Sequence, residues 1–392
     1  MKKTLIALAA LAAVGAASAQ STVSIWGTVD ASVNFANGDT AAGSASKTSM
    51  GNSQLGSSKL GFSGLEDLGG GLSGKFWLEA GLANDFGGGK GSNSANQDTG
   101  GCTVANVTLL AAAKQNPSLA AGTTACATNG TQGIVFQRRS YVGLVGGFGE
   151  LKLGREYVNT FIGVQAATDP FGTNGPADST QLMLALGAAK AATVTNASNM
   201  VTYITPVMGG FSANLQTWFG ENVSTAANSN DGNGYSLTGQ YAGGPIFASI
   251  GAQETKYSVT GDYAQQALSL SYNFGMAKVG YTYVHEGVKA VAAGAADLKN
   301  DSNLIGVVVP MGAMNLKASY ITATNNLAGA DKSGQLVGLG VDYSLSKRTK
   351  VYGTYGQISN DSGGAAYGSG YVGALKAGGT GSALAVGVFH TF

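Results

Sequence analysis

Charge is scarce in this chain: Asp, Glu, Lys and Arg together make up 11% of its 392 residues. The formal balance of +1 falls to −1 once Lys2 and Lys3 of the N-terminal segment are set aside (1 − 2 = −1). That excludes a globally basic nucleic-acid binder. Histidine is scarcer still, with only His285 and His390, which leaves almost no repertoire for a hydrolase built on a histidine base. Cysteine is limited to Cys102 and Cys126 in one polar stretch with no histidine nearby. A disulfide within a loop fits that pair better than a metal site. Long apolar runs are missing after the first 19 residues: the best, Leu182 to Val194, falls short of the roughly 18 residues of a membrane helix and is interrupted by Lys190. The run Gly87-Gly88-Gly89-Lys90-Gly91-Ser92 looks like a phosphate loop only superficially, because no Ser or Thr follows the lysine directly. No cofactor, metal or catalytic residue is expected.

What is abundant is glycine, 62 residues of it, separating short stretches of alternating polarity. At the N-terminus Lys2 and Lys3 precede an apolar stretch from Leu5 to Ala17, and Ala17-Ser18-Ala19 offers small residues for cleavage. Residues 1–19 therefore read as a cleaved signal peptide and 20–392 as the mature domain. The last strand-like run ends GVFHTF, with Leu384, Val386, Val388 and Phe392 on one parity. A strand apolar on one side needs its open edge closed. Closure onto the first strand, with the apolar face outward, predicts a barrel seated in lipid.

Counting alternating runs gives sixteen strands between 22–36 and 382–392, the first with Val23, Ile25, Val29, Val33 and Phe35 opposed to Ser24, Thr28, Asp30, Ser32 and Asn34. Seven short turns, such as Asp67 to Gly71 and Pro310 to Ala313, alternate with eight longer polar stretches, among them 37–53, 86–133, 156–199 and 359–381. Pro206, Pro245 and Pro310 fall in the short turns, where no ladder donor is lost. An even antiparallel membrane barrel with short turns at one end has this asymmetry. A soluble solenoid or propeller would leave an internal period, and none is present. Tyr272, Tyr281, Tyr283, Tyr320 and Tyr343 suit its interfacial girdles.

Several ordered segments carry a resemblance: Ser57 to Leu72 (SSKLGFSGLEDLGGGL), Arg138 to Tyr157 (RRSYVGLVGGFGELKLGREY), Val201 to Leu215, Tyr343 to Gly356, and the terminal His390-Thr391-Phe392. Together they resemble the trimeric general porins of Gram-negative bacteria, especially the betaproteobacterial branch. The resemblance implies an all-β, sixteen-stranded antiparallel barrel in the outer membrane, assembled as a homotrimer among lipid and lipopolysaccharide. It also implies a third long loop folded into each pore, and a terminal Phe392 read by the assembly machinery. Such a protein is a passive, water-filled channel for small hydrophilic solutes. Where the family often carries arginine, this chain has Asn196 and Phe389, so a weak anion preference or near-neutrality is expected.

A diffusion pore works through lumen charges that set a field and a loop that sets a diameter. Alternation turns Lys59, Lys75, Trp77, Glu79 and Lys152 inward, because a charge on the lipid face costs about 2 to 4 kcal/mol at mid-membrane. Arg138 and Arg139 are neighbours and alternation cannot send both inward; the resemblance favours Arg138, with Arg139 near the rim. Arg155 shares the parity of the lipid-facing leucines and belongs at the strand end or beyond a bulge at Gly154. The basic wall of the constriction is thus Lys59, Lys75, Arg138, Lys152 and Arg155. Its acidic side is expected from Asp169 and Asp178 in the third loop. A channel specific for one solute class is the nearest rival, and a barrel-based hydrolase, with His285 at a strand end, a distant one.

Overall fold

The computed structural model describes residues 22–85, 87–89, 134–226, 228–327, 331–361, 367 and 370–392. Residues 1–19, Cys102 and Cys126 lie outside them. The described residues form one closed antiparallel sheet. Its strands are β1 (Thr22–Thr40), β2 in two segments (Gly43–Asn52 and Lys59–Gly69), β3 (Leu72–Ala83), β4 (Arg139–Gly146), β5 (Gly149–Tyr157), β6 (Asn196–Ile204), β7 (Phe211–Trp218) and β8 (Gly234–Gly243). Then follow β9 (Ile246–Thr255), β10 (Tyr263–Asn273), β11 (Lys278–Val288), β12 (Leu298–Met311), β13 (Met314–Asn325), β14 (Lys332–Ser344), β15 (Thr349–Asn360) and β16 (Thr380–Thr391). Each strand pairs with its sequence neighbours. The ring closes through β1 and β16, in register from Thr28↔Thr391 to Gly38↔Gly381.

Alternation sorts the side chains as expected. In β1, Val23, Ile25, Val29, Val33 and Phe35 are exposed on the outer surface, whereas Thr28, Asp30, Ser32 and Asn34 are buried on the inner one. Leu384, Val386 and Val388 of β16 also face outward. Outward tyrosines satisfy their hydroxyls locally: Tyr281 donates to Asn303, Tyr283 to Asp301 and Tyr320 to Gln335.

Two expectations about connections change. The stretch 37–53 is mostly strand, because β1 continues to Thr40, turns over two residues and returns, paired from Thr40↔Gly43 to Ala31↔Asn52. This hairpin is polar on both faces, so hydrophobic alternation leaves no trace of it, although backbone pairing needs none. The second strand then breaks at 53–58 and resumes opposite the first half of β1, from Thr28↔Lys59 to Thr22↔Leu65.

The third long connection folds inward. It leaves β5 at Tyr157, runs as irregular helical turns over Thr160–Val164 and Gln165–Ala167, and returns through two short helices, α1 (Thr180–Met183) and α2 (Ala185–Lys190). Its outward leg lies on glycines of the inner wall. Thr160 and Val164 cross Gly251 of β9, Thr168 crosses Gly280 of β11, and Pro170 crosses Gly306 of β12. Phe171 crosses Gly338 and Gly340 of β14, and Pro176 crosses Gly356 of β15; a methyl group at Gly356 would collide with the Pro176 carbonyl. Only residues without a side chain permit so close an approach of two backbones.

The returning leg is greasy. Leu182 and Met183 pack with inward-facing Val284, Leu304, Ile321, Leu336 and Ile358 in a dry cluster inside the barrel. The apolar run Leu182 to Val194 therefore lies in the lumen. Among the described residues no helix is long and apolar enough to cross a membrane. Glu286 of β11, fully buried, fixes the start of α2: it accepts from the backbone N–H groups of Leu186 (3.1 Å) and Gly187 (2.8 Å), from the Tyr263 hydroxyl (2.9 Å) and from Asn300 Nδ2 (2.9 Å). The last long connection adds to the plug, with Tyr367 and Leu375 in the same cluster and the Tyr367 hydroxyl 3.0 Å from Asn300 Oδ1.

Candidate functional site

Opposite the plugged arc, strands β2 to β5 keep a charged inner face. Glu79 of β3 is 1% exposed and forms its centre. Arg138 Nε donates to Glu79 Oε1 at 2.6 Å, Lys59 Nζ stands 3.6 Å from the same oxygen, and Arg139 Nη1 lies 3.9 Å from Oε2. Arg139 then reaches Glu156 through Nε at 2.7 Å, and Glu156 also takes Lys152 Nζ at 3.1 Å. Lower on the wall Lys75 pairs with Glu150 at 2.8 Å. Lys75 is four residues from Glu79 on one strand, so about 13 Å of rise separates the two levels.

Aromatic rings fill the spaces between these pairs. Trp26 and Trp77 meet with centroids 4.9 Å apart, Lys59 lies over Trp26 and Arg139 over Trp77 at 5.7 Å. Arg138 and Arg139 share the Tyr157 ring at 5.5 and 5.0 Å, and Lys152 stands over Tyr141 at 4.9 Å. Glu79 and Glu156 are buried, so the attraction in these pairs is largely offset by the cost of drying the charges. Their consequence is positional: long side chains that would sweep the lumen are held along one wall.

The structure corrects the choice between the two arginines. Arg139 is in register with Glu79 and faces the lumen with it, while Arg138 precedes β4 and is free of its alternation. Both therefore enter the network. The reasoning that only one could point inward assumed that the strand had already begun. Arg155 lies at a register shift between Gly154 and Glu156, with Gly154 at φ +138°, so the anticipated bulge is there. It does not join the ladder: Nε donates to the Gln137 carbonyl and Nη1 to Ser198 Oγ at 2.7 Å. Glu156, which the sequence reading passed over, shares the parity of Lys152 four residues before it and pairs with that lysine. Its signal was the same period-two rule that turned Lys152 inward, continued to the end of the strand.

The two loop acids differ from their expected setting. Asp169 is buried, and its carboxylate accepts from Phe171 N at 2.8 Å, Thr173 N at 3.1 Å and Ser179 Oγ at 2.7 Å. It ties the loop together instead of facing the lumen, and burial raises its pKa. Asp178 is half-buried and accepts from Thr180 N at 2.8 Å; burial pushes its carboxyl up to about 7. Between Val158 and Thr195 these are the only carboxylates. Asn196, one of the positions without the family arginine, donates to the Arg138 carbonyl at 3.0 Å, and Phe389, the other, lies against Gly56 on the inner side. Among the described residues no cluster of His, Cys, Asp and Glu could hold a metal ion.

Comparison with known proteins places this geometry among channels. A family model described as Gram-negative porin matches residues 6–363. The chain is 32% identical over 400 residues to outer membrane porin protein 32 of Delftia acidovorans, covering 100% of both. It is 26% identical to an outer membrane porin protein of Bordetella pertussis, covering 92% of this chain and 95% of that one. Among solved structures, the anion-selective porin from Comamonas acidovorans superposes with a TM-score of 0.73 at 29% identity, covering 95% of this chain and 100% of that one. OmpT of Vibrio cholerae in its trimer form shares the fold alone, with a TM-score of 0.61 at 16% identity over 95% of this chain and 99% of that one.

Proposed function

Because the chain belongs to the Gram-negative porin family, we propose that its constriction lies between the charged wall of β2 to β5 and the inward third loop, and that it favours anions weakly. The protein is a general diffusion porin of the outer membrane, a channel and not an enzyme. What supports the selectivity is the composition of the wall: Lys59, Lys75, Arg138, Arg139 and Lys152 stand against Glu79, Glu150 and Glu156, five cations to three carboxylates, an excess of two. The facing loop opposes this excess feebly, since Asp169 is consumed by the loop and Asp178 holds its proton to near neutrality. Fixed charges act over about 8 Å in physiological salt, so an excess of two on one wall biases passing ions without excluding either sign. The anion-selective relative from Comamonas acidovorans is consistent with that direction.

Reversal potentials across a planar bilayer in a salt gradient test this reading. The wild-type channel is expected to pass chloride modestly better than sodium, and Arg139→Ala to bring the ratio to one or below. A cation-selective wild type, or an Arg139→Ala channel with unchanged selectivity, would place the constriction elsewhere. We also read the chain as one subunit of a homotrimer, with Val23 and Ile25, each 65% exposed, at or near the subunit contact. Phe392 exchanges backbone hydrogen bonds with Gly27 and lies against it; as the assembly signal, its deletion should reduce yield of the heat-dissociable trimer while sparing pore conductance.

A further inference from the structure

A second polar recess lies away from the charged ladder, where three separate segments converge. The break in β2, the tip of the third loop and the last long connection border an open recess of about 410 Å³, lined by Asn52, Gln54, Asn174, Asp178, Gln181 and Tyr371 among others. Its lining contains no Lys, Arg or His. The segments are joined across it: the Tyr371 hydroxyl donates to Gln54 Oε1, Gly370 N to Gln181 Oε1 at 3.3 Å, and Ser57 Oγ to Asn174 Oδ1 at 3.2 Å.

Backbone strain is concentrated here. Among the described residues four non-glycine residues have positive φ, and two of them, Ser53 (+63°) and Thr173 (+59°), line this cavity from different segments. Such conformations persist only where the surroundings enforce them, and they gather at binding sites. The enforcement is visible: Asp30, fully buried in β1, accepts from Leu55 N at 2.7 Å and Gly56 N at 2.8 Å, holding the break open as a loop where a strand would otherwise run on.

The hydrogen-bond inventory sets the ligand class. The amide nitrogens of Gln54, Asn174 and Gln181 already donate to protein carbonyls: Gln54 to Asn52, Asn174 to Gly172, and Gln181 to Pro176 and Asp178. The amide oxygens are engaged once each, Gln54 Oε1 by Tyr371, Gln181 Oε1 by Gly370 N and Asn174 Oδ1 by Ser57, which leaves each a second lone pair. Asp178 adds a carboxyl bonded to Thr180 N, so the acceptor capacity left in the lining exceeds the donor capacity. We infer that this recess is a binding site for a small, uncharged, hydroxyl-rich solute of the monosaccharide class, whose O–H groups meet these acceptors. Anions find no cationic partner in the lining. The inference rests on the channel reading, because the solute reaches the recess from the lumen.

Titration of single-channel current in the full-length protein with D-glucose tests the site, with triethylene glycol as a neutral control poor in donors. Glucose is expected to reduce the current along a saturating curve, and triethylene glycol only in proportion to solution viscosity. Gln181→Ala should raise the half-saturating glucose concentration about tenfold, the change expected from losing one or two hydrogen bonds. Tyr371→Phe, which keeps the ring and removes the hydroxyl, should raise it by a smaller factor. A channel that conducts salt normally but responds to glucose and triethylene glycol alike, or saturates with ammonium solutes and not with glucose, would overturn the site while leaving the channel reading intact. Failure to conduct salt at all would overturn both.

Discussion

Strands β2 to β5 and strands β9 to β15 turn the same kind of face toward the same lumen and use it in opposite ways. On the first arc Glu79, Arg139, Lys152 and Glu156 keep a charged surface. On the second, Val284, Leu304, Ile321 and Leu336 are fully buried beneath the third loop, and glycines let the loop backbone approach closely. Inward in a porin therefore does not mean wet. A loop folded into a barrel needs a floor, and here that floor is a hydrophobic core built from lumen positions. Half of the inner surface positions the loop so that the other half can select.

Deleting a carboxylate from each arc should separate the two roles, with the larger effect on the dry side. Glu286→Ala leaves Leu186 N, Gly187 N and the Tyr263 hydroxyl without their acceptor, while Asn300 Nδ2 keeps its bond to the Leu182 carbonyl. Each unsatisfied buried group costs about 1 to 3 kcal/mol, so loop anchorage should weaken by at least about 3 kcal/mol. Rapid tryptic cleavage after Lys190 in a barrel that still resists heat would show it. Glu156→Gln on the charged arc, which keeps the side chain's shape and one acceptor oxygen while giving up the charge, should leave cleavage after Lys190 almost unchanged, yet move the reversal potential toward anions. Equal destabilisation by both would break the comparison.

The sequence makes one arc far more legible than the other. Strand number, closure and the outward sides of β1 and β16 follow from period-two alternation, because lipid and lumen impose opposite polarity. Lys59, Lys75, Glu79 and Lys152 follow from the same rule. On the dry arc the rule loses its contrast: Leu304 faces in and Ile305 out, Leu336 in and Val337 out, so both faces are apolar. Doubly apolar pairs in a barrel otherwise polar inside were the available sign of something packed against the inner wall. The glycines at 251, 280, 306, 338 and 356 look, in sequence, like the many turn glycines; only the loop above them gives them meaning. Arg139 was placed at the rim because β4 was taken to begin too early, whereas Glu156 was legible by the same alternation as Lys152 and was simply passed over.

A smaller effect distinguishes the loop's two acids through pH. Asp178, with its carboxyl raised to about 7 by burial, is charged above that value and neutral below it. Protonation removes a negative charge, so anion preference should increase as pH falls through about 7, and Asp178→Asn should abolish the step. Reversal potentials measured over that range at constant salt would check it. A step that survives in Asp178→Asn would belong to another group.

The smallest change in selectivity is expected from Asp169→Asn, the substitution that a simple acidic eyelet would make the most telling. The Asp169 carboxylate is buried and accepts from Phe171 N, Thr173 N and Ser179 Oγ. Burial raises the pKa of this carboxyl against the opposing pull of its three donors, whose dipoles screen whatever charge it carries. Asparagine keeps one acceptor oxygen but replaces the other with a donor, which cannot take the bonds from Thr173 N and Ser179 Oγ. The loop tip should therefore loosen, by about 1 to 3 kcal/mol, while the reversal potential moves less than in Arg139→Ala. Current noise and protease sensitivity would register the loosening. A shift toward anions as large as the Arg139→Ala shift toward cations would instead mean that Asp169 acts across the pore, and that the dry arc reaches into selectivity after all.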